Sequence, residues 1–130
     1  MNGNCHCKLV SWTLDTEPKS ATACNCSICR RYGALWAYGH IGYDLHVAGE
    51  TELYRRKDGG AIDFHFCKTC GCITHYVATK AGEDGRHWTG VNLRMSDPDP
   101  IAALPIDHFD GLETWDDLPR DHRTIRDMWF

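Results

Sequence analysis

The stretch Cys67-Lys68-Thr69-Cys70-Gly71-Cys72 decides how the rest of the chain is read. Cys-x-x-Cys followed by glycine is a turn in which two sulfurs converge on one point, the glycine taking a backbone angle that other residues resist. Two sulfurs do not close a tetrahedral metal site, so further ligands must come from elsewhere. The chain has 130 residues and eight cysteines, and the other five fall in two more clusters, Cys5-His6-Cys7 and Cys24-Asn25-Cys26-Ser27-Ile28-Cys29. Neighbours this close do not pair as unstrained disulfides, because bridge geometry constrains both Cα separation and Cβ direction. They can share one ion, and metal is the first explanation for so many thiols in a reducing compartment.

The best unclaimed partner for Cys67 and Cys70 is Cys5-x-Cys7, about 60 residues upstream. A structural zinc on Cys5, Cys7, Cys67 and Cys70 has no open position, and such a site contributes on the order of 10 kcal/mol to folding. Cys24, Cys26 and Cys29 remain together on one short segment. Three ligands leave a fourth position for water or substrate, the arrangement expected of a catalytic zinc. Cys72 has three readings: fourth ligand of this second zinc, free thiol beside it, or small buried apolar side chain.

Lys and Arg number 14 against 18 Asp and Glu, a net charge of −4, which argues against a partner gripped through its phosphates; no nucleic acid is expected. The 42% hydrophobic and 25% charged content excludes general disorder, and the length suits a single domain. No apolar run approaches the roughly 18 to 20 residues of a membrane span. Met1-Asn2-Gly3-Asn4-Cys5 has neither the basic flank nor the apolar stretch of a signal peptide. The expectation is a cytoplasmic protein with no membrane partner.

Between the cysteine clusters the pattern is of short strands. Lys8 to Leu14 sets Val10, Trp12 and Leu14 against Leu9, Ser11 and Thr13, as in a half-buried strand. Leu35 to Tyr38, Asp44 to Val47, Glu52 to Arg55, Ile62 to Phe66, Ile73 to Val77 and Trp88 to Leu93 read similarly, with glycines at many borders. Helix is confined to a turn through Ser27 to Tyr32, another near Pro100 to Leu104, and a short piece after Asp121. The last dozen residues are charged but carry Ile125, Met128, Trp129 and Phe130, too apolar for a plain tail, so a docked arm or a homodimer contact is expected there.

Gly3-x-Cys5-His6-Cys7, Cys24-x-Cys26-Ser27-x-Cys29-Arg30-Arg31-x-Gly33, His65-Phe66-Cys67-x-x-Cys70-Gly71 and Phe109-Asp110-Gly111 with Trp115 and Asp117-Leu118-Pro119 together resemble the glutathione-dependent formaldehyde-activating enzyme family, whose superfamily includes centromere protein V. The resemblance spans Gly3 to Pro119. It implies a mainly β fold, the β-tent of short antiparallel sheets pinned by zinc, with residues 1–120 as the zinc-binding domain and 121–130 as a C-terminal arm or tail. It places the closed zinc on Cys5, Cys7, Cys67 and Cys70 and the second on Cys24, Cys26 and Cys29, the partition that spacing also reaches. It further implies a carbon-sulfur lyase activity combining glutathione with formaldehyde to S-hydroxymethylglutathione. The partners are then a small thiol and a small aldehyde; the competing reading is a non-catalytic two-zinc module or thiol carrier that binds another protein. Asn25 stands where the family often has His, and Cys72 where Thr or Ser is frequent.

On this reading a zinc with three thiolates carries net charge −1 and holds a fourth thiol as thiolate. The proton donor is expected to be a water or a nearby His, with His65 favoured because period two puts it on the same side of its strand as Cys67; its other reading is a hydrogen-bonding partner that orients a ligand or backbone. Arg30 and Arg31 are expected to meet a glutathione carboxylate or to be solvated, and Trp36 and Tyr38 to wall the pocket or fill the core. The remaining histidines show no ligand spacing that competes with the cysteines.

Overall fold

The computed structural model describes residues 1–129; Phe130, part of the expected apolar C-terminal piece, lies outside the described residues. The strands in chain order are β1 (Asn2–Asn4), β2 (Ser11–Leu14), β3 (Ala21–Cys24), β4 (Trp36–His40), β5 (Leu45–Ala48), β6 (Thr51–Arg55), β7 (Ile62–Cys67), β8 (Ile73–Ala78), β9 (Trp88–Asn92), β10 (Ile106–Phe109) and β11 (Asp117–Leu118). They form a three-stranded sheet in the order β1-β2-β5 and an eight-stranded sheet in the order β11-β10-β3-β4-β9-β8-β7-β6. Helix is limited to α1 (Cys29–Tyr32), α2 (Pro98–Ile101) and 3-10 turns at Leu93–Met95 and Ile125–Met128. The chain is mainly β, as its strand pattern indicates. No helix among the described residues is long and apolar enough to cross a membrane.

The alternation in β2 turns out as read: Trp12 and Leu14 are buried and Thr13 is exposed. The strand begins three residues later than its pattern suggests, because Cys5 to Val10 is a closed turn. Cys5 N–H donates to Val10 O at 2.8 Å, and Lys8 takes a left-handed backbone (φ 64°). The sequence pattern misses β1, β3, β10 and β11. Asn2-Gly3-Asn4 has no apolar periodicity and is held by main-chain pairing to β2. β3 is recruited by partners distant in sequence, lying parallel to β10 with Phe109 opposite Cys24; every other strand pair is antiparallel.

The central strands of the large sheet are covered on both faces. Ala37 and Val91 point into the main core with Trp12, Leu14 and Leu45 of the small sheet. Trp36 packs on the opposite face with Phe64 and Tyr76. A third, small cluster contains Cys5, Val10 and Cys67. At the C-terminal end Ile125 is wholly buried in the main core, and its N–H donates to Leu104 O at 3.0 Å.

His75 is 2% exposed on β8, its Nδ1 lies 2.8 Å from Thr74 Oγ1, and its ring stacks on that of His65. Burial, reinforced by His65, pushes its pKa from 6.5 down to about 3. The unfolded chain takes up this proton below about 6.5, whereas the folded one does so only near about 3. His75 therefore leaves stability intact above the higher value and lowers it as the pH falls, by up to about 1.4 kcal/mol per pH unit. Urea titrations at about pH 7 and about pH 5 should show the parent losing roughly 2 kcal/mol relative to His75→Gln. An unchanged difference would mean that His75 is not held neutral.

Candidate metal centres and their pocket

The first cysteine cluster joins the two sheets. Cys5 and Cys7 sit in the turn between β1 and β2, and Cys67 ends β7. After Cys67 the chain makes the turn expected of Cys-x-x-Cys-Gly: Gly71 N–H donates to Cys67 O at 2.8 Å, Cys67 N–H donates to Cys72 O at 2.9 Å, and Gly71 has φ 72°. The sulfurs of Cys5, Cys7, Cys67 and Cys70 all lie within 4.8 Å of one another, with Cys7 Sγ 3.5 Å from both Cys5 Sγ and Cys67 Sγ. A tetrahedron of sulfurs with metal–sulfur bonds of about 2.3 Å has edges of about 3.8 Å, so the donor set and spacing suit a zinc-sized ion. Val10 N–H donates to Cys5 Sγ at 3.3 Å, and the backbone N–H groups of Cys72 and Cys7 hold the Cys70 thiol down at about 5. Such bonds favour thiolates, the form a metal needs.

Cys24, Cys26 and Cys29 form the second cluster, again with their sulfurs within 4.8 Å of one another. Cys24 ends β3 and Cys29 opens α1, so the knuckle is the strand-to-helix turn itself. Its backbone folds around the sulfurs, Cys26 N–H donating to Cys24 Sγ and Cys29 N–H to Cys26 Sγ, each at 3.4 Å. Trp36 Nε1 donates to Cys29 Sγ at 3.4 Å. The hydrogen bond with Cys29 lowers the Cys24 thiol and raises that of Cys29, so these two share a proton when no ion is bound.

The surroundings of this trio come from the far end of the chain. Because β10 runs beside β3, the turn after Phe109 lies over the knuckle. Asn25 Nδ2 donates to Asp110 Oδ1 at 2.8 Å, and Leu112 N–H donates to Asn25 Oδ1 at 3.0 Å. Asp110 also accepts from the N–H groups of Leu112, Glu113 and Thr114 and from Thr114 Oγ1, and Asn25 is the leading cause that holds its carboxyl down at about 2. Gly111 is required by space: a Cβ there would stand 2.8 Å from Cys24 Sγ. The family-type motif Phe109-Asp110-Gly111 marked this turn in the sequence, but nothing local revealed that it would close over residues 85 positions upstream.

Cys24, Cys26 and Cys29 line a cavity of about 590 Å³. Trp36 and Tyr38 line it as well, so the choice between wall and core resolves as both for Trp36, which is 2% exposed. Several expected site residues are not brought to it. Cys72 packs with Cys5, Val10 and Cys67, on the side of the four-sulfur cluster, and is therefore not positioned as a fourth ligand of the trio. His65 is also absent from the cavity wall. Its Nδ1 pairs with Thr51 Oγ1 at 2.9 Å and its ring stacks on His75, because strand alternation sends Phe64 to the cavity and His65 to the other face. Arg30 is exposed on α1 and lines neither this cavity nor the groove beside it. Arg31 lines a second, shallower groove of about 650 Å³ with Tyr54, Arg56 and Lys57. The two hollows share Ile28, Arg56 and Asp58.

Fold and site thus define a mainly β protein with two cysteine clusters suited to metal ions, one closed among four sulfurs and one opening into a cavity. Residues 1–102 match the family described as glutathione-dependent formaldehyde-activating enzyme, and the chain belongs to that family. A crystal structure of a Rhodobacter sphaeroides protein is 30% identical, covers 82% of this chain and 99% of its own, and superposes with a TM-score of 0.60. No match is found among curated proteins. Family membership implies glutathione-dependent formaldehyde activation at the level of the family.

Cys67→Ser removes a sulfur from the buried four-sulfur set and should abolish the cooperative thermal transition. Cys26→Ser should keep that transition while the protein loses one metal equivalent, read by chelator release. Gly111→Ala, with its Cβ against Cys24, should weaken metal retention at the trio by at least about tenfold in chelator competition and leave the other equivalent in place. Equal loss of both equivalents would refute this division.

Proposed function

We propose that both clusters hold zinc, with Cys5, Cys7, Cys67 and Cys70 as a structural site and Cys24, Cys26 and Cys29 as the active one. The protein then combines glutathione with an aldehyde of the formaldehyde type to an S-hydroxyalkyl adduct, in a reducing compartment such as the cytoplasm. One observation carries the reading: the three-sulfur cluster lies on the wall of a cavity and the four-sulfur cluster does not. A zinc bound by three thiolates supplies a further coordination position that holds a thiol sulfur in its nucleophilic, deprotonated form.

The chain's own residues arrange the rest. Trp36 Nε1 fixes Cys29 by its hydrogen bond and, with Phe64 and Tyr76, keeps water from the buried side of the sulfurs. The rim shared by the two hollows lets a tripeptide run from the trio into the shallower groove, where Arg31 and Lys57 meet its carboxylates. The aldehyde oxygen gains negative charge as the carbon–sulfur bond forms. The cavity presents two phenols to it, Tyr38 and Tyr76, whose pKa values burial pushes up, to about 12 for Tyr38. Both therefore remain protonated hydrogen-bond donors, a role that His65 on the opposite face does not fill.

Exchange NMR with labelled formaldehyde and glutathione tests this function: adduct exchange should run faster with the metal-loaded protein than without it, and equal rates would sink the claim. Tyr38→Phe should lower kcat by about tenfold or more with little change in KM, whereas the Arg31→Ala/Lys57→Ala double variant should raise the glutathione KM by roughly tenfold with kcat nearly kept.

A further inference from the structure

Formaldehyde has two heavy atoms and occupies on the order of 60 Å³ at the roughly 30 Å³ that a water molecule takes in the liquid. The cavity at the trio is about 590 Å³, roughly an order of magnitude more than that substrate fills. Glutathione accounts for only part of the difference, because its two carboxylates and ammonium call for charged or polar walls. Seven aromatic side chains line the cavity, while its one cation among the described residues, Arg56, is forked onto its one carboxylate, Asp58. Apart from the cysteine trio, the wall thus offers no unpaired charge among the described residues. Two cations that form no ion pair among the described residues, Arg31 and Lys57, line the adjoining groove, Arg31 also donating to Ser27 O.

The aromatic groups also reach the mouth of the cavity. Tyr38 and Trp88 stack with centroids 5.0 Å apart, and Phe109 meets Trp115 edge to face at 6.0 Å. Trp88 is 45% exposed and Trp115 65% exposed although both line the cavity. Trp115 is held there against its own backbone preference, in a left-handed conformation (φ 62°) that an L-residue other than glycine rarely takes. Its N–H donates to Asp110 O at 2.7 Å, in the turn that Asn25 and Asp110 fasten over the trio. An indole presented at such a position, on the same cavity as another exposed indole, is a surface suited to a flat apolar ligand.

We infer that the aldehyde partner is an apolar, aromatic-bodied one whose ring occupies this cavity while its carbonyl carbon faces the trio. The inference rests on the glutathione-dependent reading of the same site and replaces the small aldehyde there with an aromatic one. The reaction balances without oxidant or reductant. Glutathione sulfur forms a carbon–sulfur bond to the carbonyl carbon, the carbonyl π-pair passes to oxygen, and the thiol proton ends on that oxygen to give a hemithioacetal.

Two unreactive thioethers, S-benzylglutathione and S-methylglutathione, isolate the ring from the tripeptide. By calorimetric titration of the metal-loaded protein, S-benzylglutathione should bind at least about tenfold more tightly, and in Trp115→Ala or Trp88→Ala the preference should fall below about threefold. Equal affinity for the two in the parent overturns the aromatic-substrate inference while leaving glutathione binding intact. If neither binds, the glutathione reading fails, and saturation-transfer NMR with benzaldehyde alone decides the inference. Ring-proton transfer lost in Trp115→Ala supports the aromatic cavity, and no transfer to the parent overturns it.

Discussion

The meeting of four sulfurs from two distant turns is the constraint on which the rest of the architecture depends. The turn before β2 and the turn after β7 belong to different sheets, and the sulfurs of Cys5, Cys7, Cys67 and Cys70 converge within 4.8 Å at their junction. Between them, Cys5 and Cys67 are almost wholly excluded from solvent. Buried thiols so close together repel as thiolates and lose solvation, so this arrangement is favourable chiefly when a cation neutralises it. Once the junction is fixed, the small sheet is held over one face of β4 and β9. The opposite face of those strands is left to carry the aromatic cavity.

The trio obeys a different logic. Its ligand atoms are local, three within six residues, but everything that makes it a site is remote. The hydrogen bond from Trp36 comes from the next strand, the Asn25–Asp110 clasp from the turn after β10, and the aromatic wall from β4, β7, β8, β9 and β10 as well as from the turn that ends in Trp115. The cavity therefore has a buried side set by the sheet and a mouth shared by Trp88 of β9 and the strapped turn that carries Trp115.

This contrast explains what was legible in the sequence. Cysteine spacing encodes local turns, so the partition into four and three could be read before any fold was known, and so could the strands whose apolar residues alternate. His65 was read from its alternation with Cys67, and Arg30 from its place after Cys29. Their side chains go elsewhere because alternation along β7 separates His65 from Phe64, and because α1 is a single turn whose outer side is solvated. β3 and β10 carry too few apolar residues to announce a strand, and their parallel pairing is a contact between segments some 85 residues apart. The aromatic residues of the cavity were each visible, but only the sheet order shows that Tyr38 and Trp88 stack while Trp36 and Tyr76 meet edge to face at 4.9 Å.

The remote clasp also sets an order of assembly. A chain made from its N-terminus has all four sulfurs of the junction in hand once Cys70 has emerged, while the three sulfurs at Cys24 to Cys29 still lack the turn after Phe109 that closes over them. While about forty further residues are made, at roughly 5 to 20 per second, every sulfur of both clusters is present but the turn that covers the second is not. The three sulfurs thus precede their own cover in the order of synthesis, the reverse of the order in which a finished site would be read from its walls inward.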